Sequence, residues 1–501
     1  MKTKHLFFVC ASLYVMVMSL SAQTLQDTLY FNTADLPDAG EYLPAPPDTA
    51  SLLFVDDYQQ WVWGKTVRPT ARGKQASLES EFSTSCLARI FGEAMQITIS
   101  EEATPAIWRL LLRSSLTGTH SVNRAKEKYM RVRPFARFNE QVWGEFDTDE
   151  LRQNGSYPSG HTSLAWAAAL AMAEMAPEQQ DTILRRGYEY GESRVIVGAH
   201  WQSDVDAARM ASSATYAYMH NSPEYFVDLA AARAEYKALK SITVEKDTII
   251  YPHITRALNL PPDTASVRFY SDVQQYYIGK AERSTLRGKQ AVNDAEYTLD
   301  DMLRYYSAVV GMELSLAKTP AIYALFDYTY SHLIDIINDA KGCVFRKRPY
   351  VQFDEHTGFE AEEEHLKANS SYPSDHSTLG WGLALVFSPV ADAQKDAILK
   401  AGFEYGQSRI ILGYHYASDV LAGRLHTAAA LTQLYRRQEF LPLLDAAKAE
   451  YIQLTSDIES VIVQSQTDRR GWYTLSGKKL GNMRPAQSGI YIHNGEKKFV
   501  K

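Results

Sequence analysis

Pro158-Ser159-Gly160-His161, with the alanine-rich run 163–176 behind it, decides the fold of this chain. The run holds good helix formers and few breakers, which predicts a helix. It is shorter than the ~20 residues a bilayer span needs, and it carries Glu174. That helix is therefore expected to be buried in protein rather than in lipid. The motif in front of it supplies the helix start, whose free N–H groups and positive dipole end suit an anion. Gly160 has no Cβ, which lets the backbone approach a ligand closely.

The motif returns as Pro373-Ser374-Asp375-His376, and it is one of several recurrences. Pro47-Asp48-Thr49-Ala50-Ser51 returns from Pro262, and Arg72-Gly73-Lys74-Gln75-Ala76 from Arg287. Thr104-Pro105-Ala106-Ile107 returns from Thr319, and Ala234-Glu235-Tyr236 from Ala449. Every copy lies 215 residues on, as 262 against 47 and 449 against 234 show. A period this long marks domain duplication, not a solenoid of small units. Two domains are expected, residues 23–240 and 241–456. Strand-like Thr248-Ile249-Ile250-Tyr251 and the Pro261-Pro262 pair mark the junction. Leu110, Leu111 and Leu112 and the stretch 207–218 extend the helical pattern through the unit, so the fold class expected is all-α.

The ends differ from this core. Lys2 and Lys4, the apolar stretch 6–20 and then Ser19, Ser21 and Ala22 read as a secretory signal over residues 1–22. An uncleaved anchor is disfavoured by length. Residues 457–501 read as a linker and a β-rich tail. In it Trp472-Tyr473-Thr474-Leu475 and Gly489-Ile490-Tyr491-Ile492-His493 alternate as short strands. The tail resembles the C-terminal sorting signals of the type IX secretion route in Bacteroidetes; a small β appendage is the plainer alternative. The expectation is an exported protein without a membrane span, periplasmic, or surface-bound or secreted if the tail sorts it.

The chain has 501 residues, 45% apolar and 22% charged, an ordinary globular composition. Its formal charge is −7, and loss of Lys2 and Lys4 with the signal makes it −9, so general nucleic-acid binding is not expected. Cys86 and Cys343 remain after cleavage. They occupy non-corresponding places in the two repeats, so two unpaired thiols are expected although export permits a disulfide. A structural zinc site has too few ligands.

Three patterns follow one another in both units. The first unit has Lys126, six residues, then Arg133-Pro134; it has Pro158-Ser159-Gly160-His161; and it has Ser193-Arg194, five residues, His200, three residues and Asp204. The second has Lys341 and Arg348-Pro349, then Ser374 and His376 in their motif, then Ser408-Arg409, His415 and Asp419. Singly, each has a plain explanation: a solvated helix face, a hydrogen-bonded core histidine, or a helical i,i+4 pair worth a few tenths of a kcal/mol. Ordered and duplicated, they exceed coincidence.

The residue types suit phosphoryl transfer. A phosphoryl group in transfer carries negative charge on its equatorial oxygens and needs fixed positive donors. Arg133 and Arg194 offer planar forks and Lys126 a point charge. His200 and Asp204 are four apart, which predicts one helix face, with Asp204 holding one ring nitrogen and leaving the other as nucleophile. A phosphohistidine follows, with His161 as general acid and later as base. A bell-shaped pH profile is expected. No metal or other cofactor is required, because the three cationic side chains supply the charge.

These residues resemble the bacterial class A non-specific acid phosphatases. That family lies in the type-two phosphatidic-acid phosphatase superfamily, which also includes vanadium haloperoxidases. In the first unit the likeness runs through Ala125-Lys126 to Pro134-Phe135, and through Asn154-Gly155-Ser156-Tyr157-Pro158-Ser159-Gly160-His161-Thr162. It continues from Ser193-Arg194 to His200-Trp201-Gln202-Ser203-Asp204, and Pro46-Pro47 resembles the family's proline-rich start. The resemblance implies a helical, exported enzyme acting broadly on small phosphomonoesters such as nucleotides and sugar phosphates. By motif position it implies His200 as nucleophile, Asp204 as its partner and His161 as acid, with Lys126, Arg133, Ser159, Gly160 and Arg194 binding phosphate. The counterparts are His415, Asp419, His376, Lys341, Arg348, Ser374 and Arg409.

The second unit departs at Asp375, where the family has glycine. A carboxylate ~4 Å from a phosphate charge costs about 4 kcal/mol at an effective dielectric of 20. Asp375 avoids this if it points outward or is protonated, so a working but altered site is expected, with a non-catalytic structural or phosphate-binding copy as the alternative. A vanadate-dependent haloperoxidase is the rival activity. A membrane lipid phosphatase lacks its spans, and a phosphate-binding scaffold is disfavoured by the complete first set.

Overall fold

The alanine-rich run forms the helix Gly160–Met175, buried at every residue from Thr162 to Met175. A helix apolar on all sides belongs at the centre of its domain, and this one does. Numbered in chain order, the elements that matter are α1 (Leu52–Val67), α2 (Pro105–His120), α3 (Gly160–Met175), α4 (Gln180–Ile196) and α5 (Gln202–Met219). Their second-repeat partners are α6 (Val267–Glu282), α7 (Pro320–Cys343), α8 (Asp375–Phe387), α9 (Lys395–Leu412) and α10 (Ala417–Leu434). In the first repeat the central helix α3 packs on α2, α4 and α5, and in the second α8 packs on α7, α9 and α10. This computed structural model describes residues 28–144, 149–242 and 250–468. In the tail the strand residues 472–473, 479–481, 489–493 and 496–500 are described. The signal expected over 1–22 lies outside them.

Small residues bring these helices together. A Cβ on Gly118 of α2 would sit 2.4 Å from the Ala167 Cβ of α3, and one on Gly187 of α4 would sit 2.5 Å from Ala169 Cβ. Gly402 on α9 stands in the same relation to Ala384 on α8, at 2.4 Å.

Both repeats belong to one compact unit that extends to Leu444, and Asp445 onward forms a second. Within the first unit, α3 and α5 pack against α10, α5 also meets α8, and α1 meets α6. Glu192 on α4 takes an ion pair across the repeats from Arg268 on α6, and a second from Arg209 at 3.0 Å. Tyr218 donates to Asp392 Oδ1 at 2.6 Å, also across the repeats.

Several expectations are adjusted. Ile250 and Tyr251 form no strand; the Ile250 carbonyl accepts from the Gln180 side chain at 2.7 Å, and Pro252 follows. Thr248 and Ile249 lie outside the described residues. The helix Phe440–Asp468 runs through the segment expected to begin a linker at 457, because nothing after Pro442 breaks it. In the C-terminal unit, β1 (Trp472–Tyr473), β2 (Lys479–Gly481), β3 (Gly489–His493) and β4 (Glu496–Val500) form an antiparallel sheet in the order β2-β1-β3-β4. Thr474 and Leu475, expected to continue β1, lie outside the described residues. Cys86 is buried and Cys343 exposed, and both thiols are free. No helix among the described residues is long and apolar enough to cross a membrane.

Candidate active site

His200 does not lie on a helix. The helix α4 ends at Ile196, Gly198 takes φ +83°, and α5 begins only at Gln202. This corrects the expected helical i,i+4 face. Asp204 is the third residue of α5, and its Oδ2 reaches back to accept the Trp201 N–H at 2.9 Å, which caps the helix. That same oxygen stands 3.3 Å from His200 Nδ1. One carboxylate thus starts α5 and orients the ring in front of it.

Asp204 is held from two further sides. Ser156 Oγ donates to Oδ2 and Arg131 Nη1 to Oδ1, each at 2.5 Å. Arg131 Nη2 donates to Asp57 at 2.6 Å, and Asp57 accepts the Ser203 N–H at 2.8 Å and its hydroxyl at 2.6 Å. Burial alone would raise the Asp204 pKa; Arg131, His200 and Ser156 outweigh it and hold the carboxyl far below its usual range.

The other ring nitrogen of His200, Nε2, lies 2.8 Å from Arg133 Nη1, a group that only donates. The proton therefore belongs on Nδ1, and Nε2 carries the lone pair. Burial first, and then the Arg133 charge, push His200 well below its ordinary pKa, so the ring is neutral. Arg133 also donates from Nε to Asn154 O and from Nη1 to Ala199 O, both at 3.1 Å. Its own pKa falls to about 10 through burial, which leaves it charged.

The remaining predicted residues close the pocket. Lys126 donates to Gly155 O at 2.8 Å, and burial, reinforced by Arg133, lowers its pKa to about 7. Arg194, in the last turn of α4, donates to Ser80 O at 3.4 Å and to Ser80 Oγ at 3.1 Å, while its Nε has no hydrogen-bond partner. Ser159 caps α3 by accepting the Thr162 N–H at 3.3 Å, and its own N–H donates to Asp204 O at 2.9 Å. A Cβ on Gly160 would meet only Lys126 Cε, at 3.6 Å, so that position faces the lysine.

His161 donates from Nε2 to Ser80 O at 3.1 Å, with Phe82 edge-on at 4.7 Å. Burial, then Arg194 and His200, push its pKa well below normal. With only the protein's charges around it, His161 is neutral.

Sequence reasoning missed Asp57, Arg131 and Ser80, and gave Ser156 no role. Asp57, Arg131 and Ser156 recur unchanged as Asp272, Arg346 and Ser371, a signal the 215-residue spacing makes readable. The repeated Arg72-Gly73-Lys74-Gln75 anchor also gains a purpose. Arg72 donates to Ser193 Oγ and Gln75 to Glu79, both at 2.9 Å, and Ser193 Oγ donates to Glu79 at 2.5 Å. This polar cluster buttresses Arg194 from behind.

The second repeat rebuilds most of this. Arg348 Nη1 donates to His415 Nε2 at 3.0 Å, and His376 Nε2 donates to Ala295 O at 2.7 Å. Ser374 N–H donates to Asp419 O at 3.0 Å, and Asp419 is held by Arg346 and Ser371. His415 Nδ1 donates instead to Ser371 O at 2.7 Å, with Asp419 farther away at 3.8 Å. Asp375 does not turn outward, which corrects one of the two escapes expected for it: its Oδ1 forms an ion pair with Lys341 Nζ at 2.9 Å. Ala295 replaces Ser80, and Arg409 Nη2 pairs with Glu362 at 3.1 Å.

A helical domain with this histidine, arginine and lysine pocket has a recognisable family. The PAP2 superfamily matches both repeats, over residues 107–227 and 321–441, and the chain belongs to it. A non-specific acid phosphatase of Providencia stuartii is 41% identical over 245 residues, 99% of its length and 47% of this chain. One from Salmonella typhimurium is 34% identical over 249 residues, 98% of its length and 49% of this chain. An acid phosphatase of Zymomonas mobilis is 30% identical over 209 residues, 79% of its length and 42% of this chain. Each relative thus corresponds in length to about one repeat.

Proposed function

We propose that the first repeat of this chain, which is an acid phosphatase and so a phosphoric monoester hydrolase, works through a phosphohistidine on His200 Nε2. The observation that carries this reading is the ring's setting: Nδ1 on Asp204 and an unprotonated Nε2 beside Arg133. Phosphate oxygens are met by Lys126, Arg133, Arg194 and the first N–H groups of α3. The Nε2 lone pair attacks phosphorus, the P–O ester bond breaks, and its electron pair goes to the leaving oxygen.

His161 protonates that oxygen. Its Nε2–H is engaged with Ser80 O, so Nδ1 is the atom that passes the proton. The phosphorylated ring, with its proton on Nδ1, becomes cationic and is stabilised by the Asp204 carboxylate. Water then attacks phosphorus and gives a proton to His161 Nδ1; the N–P bond breaks and phosphate leaves.

The residues read the phosphate and little else, which supports broad use of small monoesters such as nucleotides and sugar phosphates. Three cationic side chains supply the charge a metal brings elsewhere, so turnover is metal-independent. Residues 1–22 direct export, and the tail acts in sorting. The decisive test traps the intermediate. A base-quenched reaction shows one PO₃ group by mass spectrometry on the peptide containing His200. In His200→Ala the adduct disappears and kcat falls by at least roughly 10³-fold. Excess chelator leaves the wild-type rate unchanged. A His200→Ala enzyme that keeps the adduct removes the proposal.

A further inference from the structure

We propose that Asp375 sets the selectivity of the second site: its carboxylate is a built-in counter-anion that closes this pocket to doubly charged phosphomonoesters. The proposal rests on the reading of the first pocket as the phosphate site. The position itself is directed inward, because a Cβ on its first-repeat counterpart, Gly160, points at the cage lysine. In the second repeat the side chain completes that approach and pairs with Lys341 at 2.9 Å, both groups largely buried at 14% and 11% exposure. Asp375 is also the first residue of α8, so its charge sits at the positive end of the helix that would otherwise receive phosphate oxygens.

Most of the chemical groups around it are kept: His415 accepts from Arg348, Asp419 is held by Arg346, and His376 keeps its backbone acceptor, although His415 Nδ1 turns from Asp419 to Ser371 O. The larger difference is in the anion cage. Lys341 is already neutralised, and Arg409 pairs with Glu362, having lost the hydroxyl that Ser80 offers Arg194. The counterpart of Glu362 is Asp147, which lies outside the described residues, so the contrast between repeats rests on Asp375 and Ala295. A phosphomonoester near neutral pH brings roughly two negative charges and has to displace a carboxylate that cannot diffuse away.

Two measurements on the full chain near pH 7 test this. Calorimetric titration with molybdate, a tetrahedral dianion at this pH, gives one anion per wild-type chain and two per Asp375→Gly chain; Asp375→Asn, of nearly unchanged shape, moves the same way. In turnover of p-nitrophenyl phosphate, His200→Ala/Asp375→Gly is at least about tenfold faster than His200→Ala, since the opened second site now contributes. Two anions on the wild-type chain overturn the proposal. So does a folded double variant no faster than His200→Ala. The stoichiometry is independent of which residue attacks phosphorus. A His200→Ala enzyme with the full wild-type rate but one bound anion therefore counts against the nucleophile and not against Asp375.

Discussion

Lys126 shows what burial does to a single charge in this pocket. Removal from water, reinforced by Arg133, brings its pKa to about 7. A lysine with that pKa is cationic below pH 7 and neutral above, so free-enzyme affinity for a phosphate ester is full on the acid side and fades as pH rises. KM is expected to climb above pH 7 by up to roughly tenfold per pH unit, as one proton is lost. Arginine stays charged throughout, so Lys126→Arg flattens that rise. KM measured from pH 6 to 9 decides it, and an unchanged rise in the variant assigns the titration to another group. At this scale the pocket's members were legible, because Lys126, Arg133, His161, Arg194, His200 and Asp204 stand in short patterns written twice. Asp57 was not. It lies 74 residues ahead of Arg131, and no local pattern links them.

Among elements, the deciding contacts are helix against helix. Alanine has the better helix propensity by up to about 1 kcal/mol, which taken alone favours Gly187→Ala. The new Cβ would stand 2.5 Å from Ala169 Cβ on a helix buried on every side, and overpacking of that kind costs about 1–3 kcal/mol. The steric effect wins. Gly187→Ala is expected to lower Tm in thermal unfolding, while Gly160→Ala, with its nearest contact at 3.6 Å, leaves Tm almost unchanged. The helices themselves were readable from composition and run length. The start of α5 was not, because four-residue spacing suits a helix equally well, and only the Asp204 cap on Trp201 N–H shows His200 to lie before it.

For the molecule as a whole, the join between repeats is sealed by charge. Burial raises the Glu192 pKa, but Arg268 from the other repeat and Arg209 more than offset it and bring it down to about 2. An acid whose folded pKa lies below its unfolded value of 4.5 adds stability that is complete above pH 4.5 and is lost as pH falls through about 2. Arg268→Met leaves Glu192 with Arg209 alone, and near pH 6 a loss of about 3 kcal/mol is expected. Acid unfolding should also begin at higher pH than in the wild type. Denaturant melts across pH 3 to 6 check both, and coincident wild-type and variant curves would remove the pair from the account.

The sequence by itself determined that this chain is helical, that it is duplicated at a spacing of 215 residues, and which residue types gather in each pocket. Helix propensity and motif spacing are properties of neighbouring residues, so they survive in the order of letters. Tertiary structure alone decided how those residues are used. It set His200 ahead of its helix, gave Asp204 the double task of cap and ring partner, and turned Asp375 onto Lys341, 34 residues away in the chain. These depend on which surfaces meet after packing, and chain order does not encode that meeting locally.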